Sequence, residues 1–153
     1  MRNFLVLFAA WALIACTGCM KQDKACTNLN PSVEEPKILA YALSKGITAT
    51  KHNSGLYYEV VNPGSGSNPT VNSKVTVAYV GQFLDGKTFD QSASFSYQLA
   101  GLIEGWKIGI PLIKKGGKIK LIIPSSLAYG CNDTQGIPGN SVLYFEVDLL
   151  DVL

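Results

Sequence analysis

The sequence predicts an α+β domain in which a twisted antiparallel β-sheet wraps over one short α-helix. Three observations carry this. After Gly55 the chain falls into runs rich in β-branched and aromatic residues, separated by turn clusters. Within that region only Leu102 to Ile110 spaces its apolar residues as a helix does, with Leu102, Ile103, Trp106 and Ile110 on one face. A sheet with one buried face must cover it, and this helix is the available cover.

The elements follow in order. The chain has 153 residues, one domain's worth. Its 13 basic and 11 acidic side chains nearly balance, so nothing points to a nucleic-acid partner. Met1-Arg2 precedes an uninterrupted apolar run from Phe4 to Ala15. The run is shorter than the roughly 20 residues a spanning helix needs, and its flanks suit a secretory signal. Residues 1–15 are therefore read as a signal peptide, with a buried helix or a membrane anchor as the alternatives.

The run ends in Leu13-Ile14-Ala15-Cys16, which resembles the lipobox of bacterial lipoproteins. That resemblance implies acylation of Cys16 and a place in the bacterial cell envelope, lipid-anchored and facing the periplasm, with the outer membrane favoured over the inner. Cys19 is the weaker candidate, because Cys16 stands three residues before it where a leucine is wanted. The remaining cysteines, Cys26 and Cys131, are permitted to form a disulfide in an exported chain. Closing so long a loop stabilises by roughly 4–5 kcal/mol in the chain-entropy picture. Free thiols, or pairing with whichever of Cys16 and Cys19 is not acylated, are the alternatives. No second cysteine or histidine lies near either, so no metal is expected.

Residues 16–33 are polar, carry Asn-Pro and lack apolar periodicity; they read as a tether. Residues 34–54 read as a short helix and turn. Glu34-Glu35-Pro36 supply start signals, Lys45-Gly46 supply stop signals, and Ile38, Leu39, Ala42 and Leu43 form a stripe that packs on the domain. His52, the single histidine, sits in a polar turn and reads as a solvated loop residue.

Residues 55–153 form the main domain. Strands are predicted for Leu56 to Val61, Lys74 to Leu84, Lys118 to Pro124 and Ser141 to Leu150. Asp85-Gly86 marks a tight turn, from which Lys87-Thr88-Phe89-Asp90 begins a return strand. The Gly-Ser cluster from Pro63 to Pro69 lacks a phosphate-loop ending and opens no helix, so it is a plain loop. Lys114-Lys115-Gly116-Gly117-Lys118 reads as a solvated turn rather than a basic binding patch.

The segment from Lys87 to Gly130 holds bulky aromatics, one notable acid and one phenol, but no histidine, no plausible nucleophile and no set of metal ligands. Such an inventory suits a reaction that makes and breaks no covalent bond. Six blocks then occur in order: Tyr79-Val80-Gly81, Asp85-Gly86-Lys87-Thr88-Phe89-Asp90, Ile103-Glu104-Gly105-Trp106, Leu127-Ala128-Tyr129-Gly130, Gly136-Ile137-Pro138 and Leu143-Tyr144-Phe145-Glu146-Val147. Together they make residues 55 to 150 resemble the FKBP-type peptidyl-prolyl cis-trans isomerases.

The resemblance implies an FKBP-like sheet over a helix and isomerisation of X-Pro bonds without a cofactor. It implies Tyr79, Asp90, Trp106 and Tyr129 as catalytic residues, and Phe89, Phe95, Leu102, Ile103, Ile137 and Phe145 as the substrate-binding lining. Trp106 would floor the pocket, Tyr129 would offer its hydroxyl to a substrate carbonyl, and the Ile137 N–H would be a second donor. The family's arginine partner for the aspartate is missing, since Arg2 is the single arginine of the chain. Asp90 must then rely on Tyr79 or on backbone donors. The stretch from Phe95 to Trp106 is shorter than in compact members of the family, so Tyr97 is a rival for the place of Phe95. The expected partners are proline-containing polypeptides of the envelope and, through the lipid anchor, the membrane; the expected state is a monomer. The competing reading is a chaperone or adaptor that captures proline segments with little turnover, and a purely structural lipoprotein is a third.

Overall fold

The computed structural model describes residues 26–153; the signal-peptide, Cys16 and Cys19 expectations lie outside the described residues. The first element, α1 (Pro31–Ser44), starts earlier than Glu34-Glu35-Pro36 suggests. Asn30 is its N-cap, accepting the Ser32 N–H at 3.0 Å, and Pro31 takes the first helical position, where a missing N–H costs nothing. This pair out-competes Pro36, which sits inside the helix and forfeits one bond to the preceding turn. The helix ends in a Schellman motif: Ile47 N–H reaches the Ala42 carbonyl, Gly46 N–H reaches that of Leu43, and Gly46 adopts φ 62°.

A six-stranded, wholly antiparallel sheet follows. Its strands are β1 (Thr50–Lys51), β2 (Tyr57–Asn62), β3 (Lys74–Phe83), β4 (Thr88–Gln98), β5 (Lys118–Ile123) and β6 (Leu143–Val152), in the spatial order β1-β2-β5-β6-β3-β4. β4 runs well past Asp90 and carries Phe95 and Tyr97 as an edge strand. Asp85-Gly86 makes the β3–β4 turn, with Gly86 at φ 90° and the Asp85 carboxylate accepting the Lys87 N–H at 2.8 Å.

Between β3 and β4 the register shifts twice. Gly81 faces Asp90 and Gln82 faces Thr88, so Phe89 is the extra residue of a β-bulge. Tyr79 faces Ser92 and Val77 faces Phe95, so a second bulge lies at Ala93-Ser94. Strict alternation would place Phe89 and Asp90 on opposite faces, and Asp90 and Phe95 likewise. The bulges bring all three to the same side.

The inner face of the sheet is a continuous apolar core in which Val77, Ile119, Leu121, Leu143, Val147 and Leu149 are fully or almost fully buried. The covering helix, α2 (Glu104–Gly109), is shorter than the Leu102–Ile110 span its spacing predicts. Leu102 and Ile103 precede it in extended backbone, and Ile110 begins a 3-10 turn. Gly105 and Gly109, one turn apart, allow α2 to lie against β5. A Cβ on Gly105 would meet Ile123 at 2.5 Å, and one on Gly109 would meet Leu121 at 2.6 Å.

The other face of the sheet is covered too, which the expectation of α2 as the cover did not include. Ile38, Tyr41 and Ala42 of α1 pack with Tyr57, Ile122 and Tyr144, which alternate with inner-face residues along β2, β5 and β6. The rings of Tyr41 and Tyr144 lie 5.3 Å apart. The centre of the sheet is thus buried on both sides, and α1 belongs to the folded body.

Ahead of α1 the chain is tied to the far end of the domain. Cys26 and Cys131 form a disulfide with Cα atoms 5.7 Å apart, and the Asn28 side chain accepts the Cys131 N–H at 3.0 Å. The polar stretch is therefore fastened from Cys26 onward rather than free to residue 33.

Candidate active site

Five parts of the fold converge on one cleft. β3 supplies Tyr79, β4 supplies Asp90 and Phe95, and β6 supplies Phe145. The segment entering α2 supplies Leu102, Ile103 and Trp106, and the loop after β5 supplies Tyr129. These eight side chains line a cavity of about 110 Å³. That is room for one small ring.

Trp106 is buried, and its ring meets Tyr79 and Phe145 at centroid distances of 5.1 and 5.3 Å, nearly perpendicular to both. Such edge-to-face pairs each contribute about 0.5–1.5 kcal/mol beyond area burial, so they fix the floor of the cleft. The indole N–H is buried and has no partner among the described residues. Phe95 walls the cleft, 5.9 Å from Tyr79. Tyr97 stacks on Phe95 from outside at 5.8 Å and is itself exposed, so Phe95 keeps the place for which Tyr97 was the rival.

Phe89 and Ile137 do not line this cavity. They border an adjoining recess of about 220 Å³ together with Gln135, and the two recesses share Asp90 and Tyr129. Phe89 instead buttresses the wall from behind. Its ring meets Phe145 at 5.5 Å, and both lie over Gly81, where an added Cβ would come within 2.7 Å of Phe145 and 2.8 Å of Phe89. The backbone of Ile137 also corrects the expectation of a free donor. Its N–H is already donated to the Thr134 carbonyl at 2.8 Å, and its carbonyl accepts the Thr134 N–H at 2.9 Å. The two residues form a closed bridge, so the backbone group that resemblance implied as a donor is occupied.

Asp90 has one hydrogen-bond partner among the described residues: the Tyr79 hydroxyl donates to Oδ2 at 2.6 Å. The side chain stands at the exposed mouth of the cleft rather than enclosed by aromatics. Water can therefore solvate it, which is the physical reason the fold tolerates the missing arginine. Burial, with the Asp90 carboxylate adding to it, holds the Tyr79 phenol far above its ordinary pKa. Burial and then Asp90 push Tyr129 up as well. Both phenols stay protonated at neutral pH. Tyr129 is 37% exposed and lines the cleft, and its hydroxyl makes no hydrogen bond among the described residues, so it is an unengaged donor at the site.

His52 lies in its own turn, its Nδ1 accepting the Ser54 N–H at 3.1 Å, and lines neither recess. Among the described residues no group of three or more His, Cys, Asp or Glu side chains is placed to hold a metal ion. The groups that sequence reasoning missed are those behind the site. Gly81 makes room for two rings, and Glu34 and Ser125 meet in a buried contact described below. An acid in a helix's first turn reads as a dipole partner, so Glu34 gave no signal of a tertiary role.

The family model for FKBP-type peptidyl-prolyl cis-trans isomerase matches residues 65–150. The FKBP-type peptidyl-prolyl cis-trans isomerase FkpA of Escherichia coli K12 is 47% identical over 116 residues, covering 73% of this chain and 42% of that protein. FkpA of Aeromonas hydrophila is 37% identical over 136 residues, covering 86% of this chain and 50% of its own length. The chain thus spans half or less of the length of these relatives. Among solved structures, the crystal structure of Escherichia coli FkpA superposes with a TM-score of 0.72 at 44% identity, covering 80% of this chain and 59% of that one. A peptidyl-prolyl cis-trans isomerase from Pseudomonas syringae superposes with a TM-score of 0.68 at 29% identity, covering 82% of this chain and 98% of that one. With this fold, this cleft and a match over more than half of its residues, the chain belongs to the family of FKBP-type peptidyl-prolyl cis-trans isomerases.

Proposed function

We propose that the protein is a peptidyl-prolyl cis-trans isomerase that accelerates X-Pro rotation in folding envelope polypeptides, using Tyr79, Asp90, Trp106 and Tyr129 with Phe95, Leu102, Ile103 and Phe145 as the lining. The observation that carries the proposal is the convergence of these eight side chains on one small apolar cleft with a phenol donor at its mouth. Rotation about the peptide bond faces a barrier of about 18–20 kcal/mol because amide resonance must be lost. The twisted amide has less charge separation than the planar one, so a water-excluding cleft favours it, and only such differential binding accelerates rotation. A millionfold gain needs about 8 kcal/mol. Trp106 and its neighbours hold the proline ring, while the Tyr129 hydroxyl grips a carbonyl of the chain on the other side of the rotating bond. The two flanks are then fixed and the bond between them turns. No step involves a proton transfer, a covalent intermediate or a cofactor.

The N-terminal residues support a lipid anchor at Cys16, facing the periplasm from the outer membrane, with a signal peptide at 1–15 and the tether of 16–33 cut short at Cys26, where the disulfide fastens the chain; among the described residues no helix is long and apolar enough to cross a membrane. The proposed working state is a monomer, which light scattering of the purified chain tests. Incorporation of a fatty-acid analogue into wild type, lost in Cys16→Ser, tests the anchor, and membrane fractionation tests the choice between inner and outer membrane. The activity itself is tested by a proline-limited refolding assay on the purified chain. Acceleration supports the isomerase; binding of proline peptides without acceleration would establish the capture module instead.

A further inference from the structure

We propose that Glu34 is a positioning residue for Tyr129, acting through Ser125. The proposal rests on the isomerase reading for its activity readout alone. Glu34 stands in the first turn of α1 and is buried, with 4% of its surface exposed. Its Oε2 accepts both the N–H of Ser125, at 2.9 Å, and the Ser125 hydroxyl, at 3.0 Å. No lysine pairs with it among the described residues. A buried carboxylate without a cation is unfavourable unless strong hydrogen bonds offset its lost hydration. Docking of α1 does not call for it, because Ile38, Tyr41 and Ala42 already seat the helix on the sheet.

What the carboxylate does is hold Ser125, which is itself fully buried. The Ser125 carbonyl accepts the N–H of Ala128 at 3.0 Å and of Gly130 at 2.8 Å, the two residues that flank Tyr129. Ser125 is therefore the point from which the near side of the turn bearing Tyr129 is hung, while the Asn140 N–H holds the Gly130 carbonyl at 2.8 Å on its far side. Because the Tyr129 hydroxyl has no partner of its own among the described residues, its place at the cleft is set by this backbone. The line of contact runs from Glu34 to Ser125, from Ser125 to both neighbours of Tyr129, and so to the donor that faces the substrate.

The test is a double-mutant cycle with a second readout that needs no turnover. Glu34→Ala, Glu34→Gln and Ser125→Ala are made in the full chain, alone and combined with Tyr129→Phe. Glu34→Ala is expected to lower kcat/KM about tenfold, the scale of a donor moved by a fraction of an ångström. Glu34→Gln keeps an acceptor oxygen and restores most of the rate. In the Tyr129→Phe background Glu34→Ala has little further effect, because the hydroxyl it positions is gone. Losses that multiply would overturn the proposal, since a residue that only stabilises the fold acts independently of that hydroxyl. Hydrogen exchange supplies the second arm: the Ala128 and Gly130 amides lose protection in Glu34→Ala relative to Val147 in β6, and unchanged protection overturns the proposal. If wild type shows no isomerase activity, that reading fails and the exchange arm still decides this one. If Glu34→Ala does not fold, Ser125→Ala carries the same cycle with a loss of about threefold, because it removes one of the two bonds.

Discussion

The Tyr79 hydroxyl donates to Asp90 Oδ2 at 2.6 Å, which joins two walls of the cleft, one on β3 and one on β4, into a single unit. A hydrogen bond to a charged group contributes about 1.5–3 kcal/mol. Tyr79→Phe and Asp90→Asn are each expected to lower kcat/KM by about tenfold or more, and the double variant is expected to be no worse than the poorer single one. Steady-state assays of the four proteins check this. An unchanged rate in Asp90→Val would make the carboxylate a structural residue.

Two phenols, Tyr79 and Tyr129, set the upper limb of the pH profile. Both Tyr79 and Tyr129 are pushed above the ordinary phenol value by burial first and the Asp90 charge second. A raised phenol pKa keeps the neutral donor to higher pH, so kcat/KM is expected to be flat from about pH 6 to about pH 9, below the ordinary phenol pKa of about 10. The stability that these neutral phenols contribute is fully present below about pH 10 and is lost above it, as the unfolded chain ionises first. A sharp fall in rate near pH 7 would point to a different titrating group.

Trp106 serves both the floor of the cleft and the core. Trp106→Ala is expected to abolish measurable activity and to destabilise by about 3–5 kcal/mol, the range for removing a large buried aromatic. Urea unfolding beside the activity assay separates the two effects. Tyr129→Phe, by contrast, is expected to leave the unfolding midpoint in place and to lower the rate about tenfold, the scale of one lost hydrogen bond.

Gly105→Ala and Gly109→Ala test the contact of α2 with β5. Alanine improves helix propensity by about 1 kcal/mol over glycine. The new methyl would meet Ile123 at 2.5 Å or Leu121 at 2.6 Å, and overpacking a core costs typically 1–3 kcal/mol. Steric cost wins, so both variants are expected to lower Tm, and α2 is expected to shift enough to reduce activity. A rise in Tm would show that α2 is free to lift off the sheet.

Reduction of the Cys26–Cys131 bridge is expected to cost about 2–5 kcal/mol of stability. The two cysteines are 105 residues apart, so the bridge closes most of the chain into one loop. Unfolding with and without reductant, and in Cys131→Ser, checks this. Equal midpoints would mean that the Asn28 contact and α1 hold the segment unaided.

Much of the fold was legible because period-2 alternation survives wherever a strand is regular. Residues 57–62, 74–83, 118–123 and 143–152 fall close to the predicted strands. Alternation fails where a bulge intervenes, so only the structure shows Phe89, Asp90 and Phe95 turned to one side. Ile137 was placed near the site by its motif, but a motif does not show whether a backbone N–H is already engaged, as this one is with Thr134. The sequence reading starts α1 at Glu34-Glu35-Pro36 and leaves Asn30-Pro31 in the tether, whereas the cap geometry, with Asn30 accepting the Ser32 N–H, puts the start at Pro31. Contacts between residues far apart in sequence, such as Glu34 with Ser125, leave no local pattern to read.

The disulfide also measures a leash. Were Cys16 acylated as proposed, with Cys26 fixed to Cys131, only ten peptide units would separate lipid from folded body, and fully extended they would span at most about 36 Å. The cleft would then work within a shell close to the bilayer surface, meeting chains as they pass there rather than roaming the compartment. Energy transfer from Trp106 to a headgroup acceptor, weaker once the bridge is reduced, would show that the bridge sets this working height.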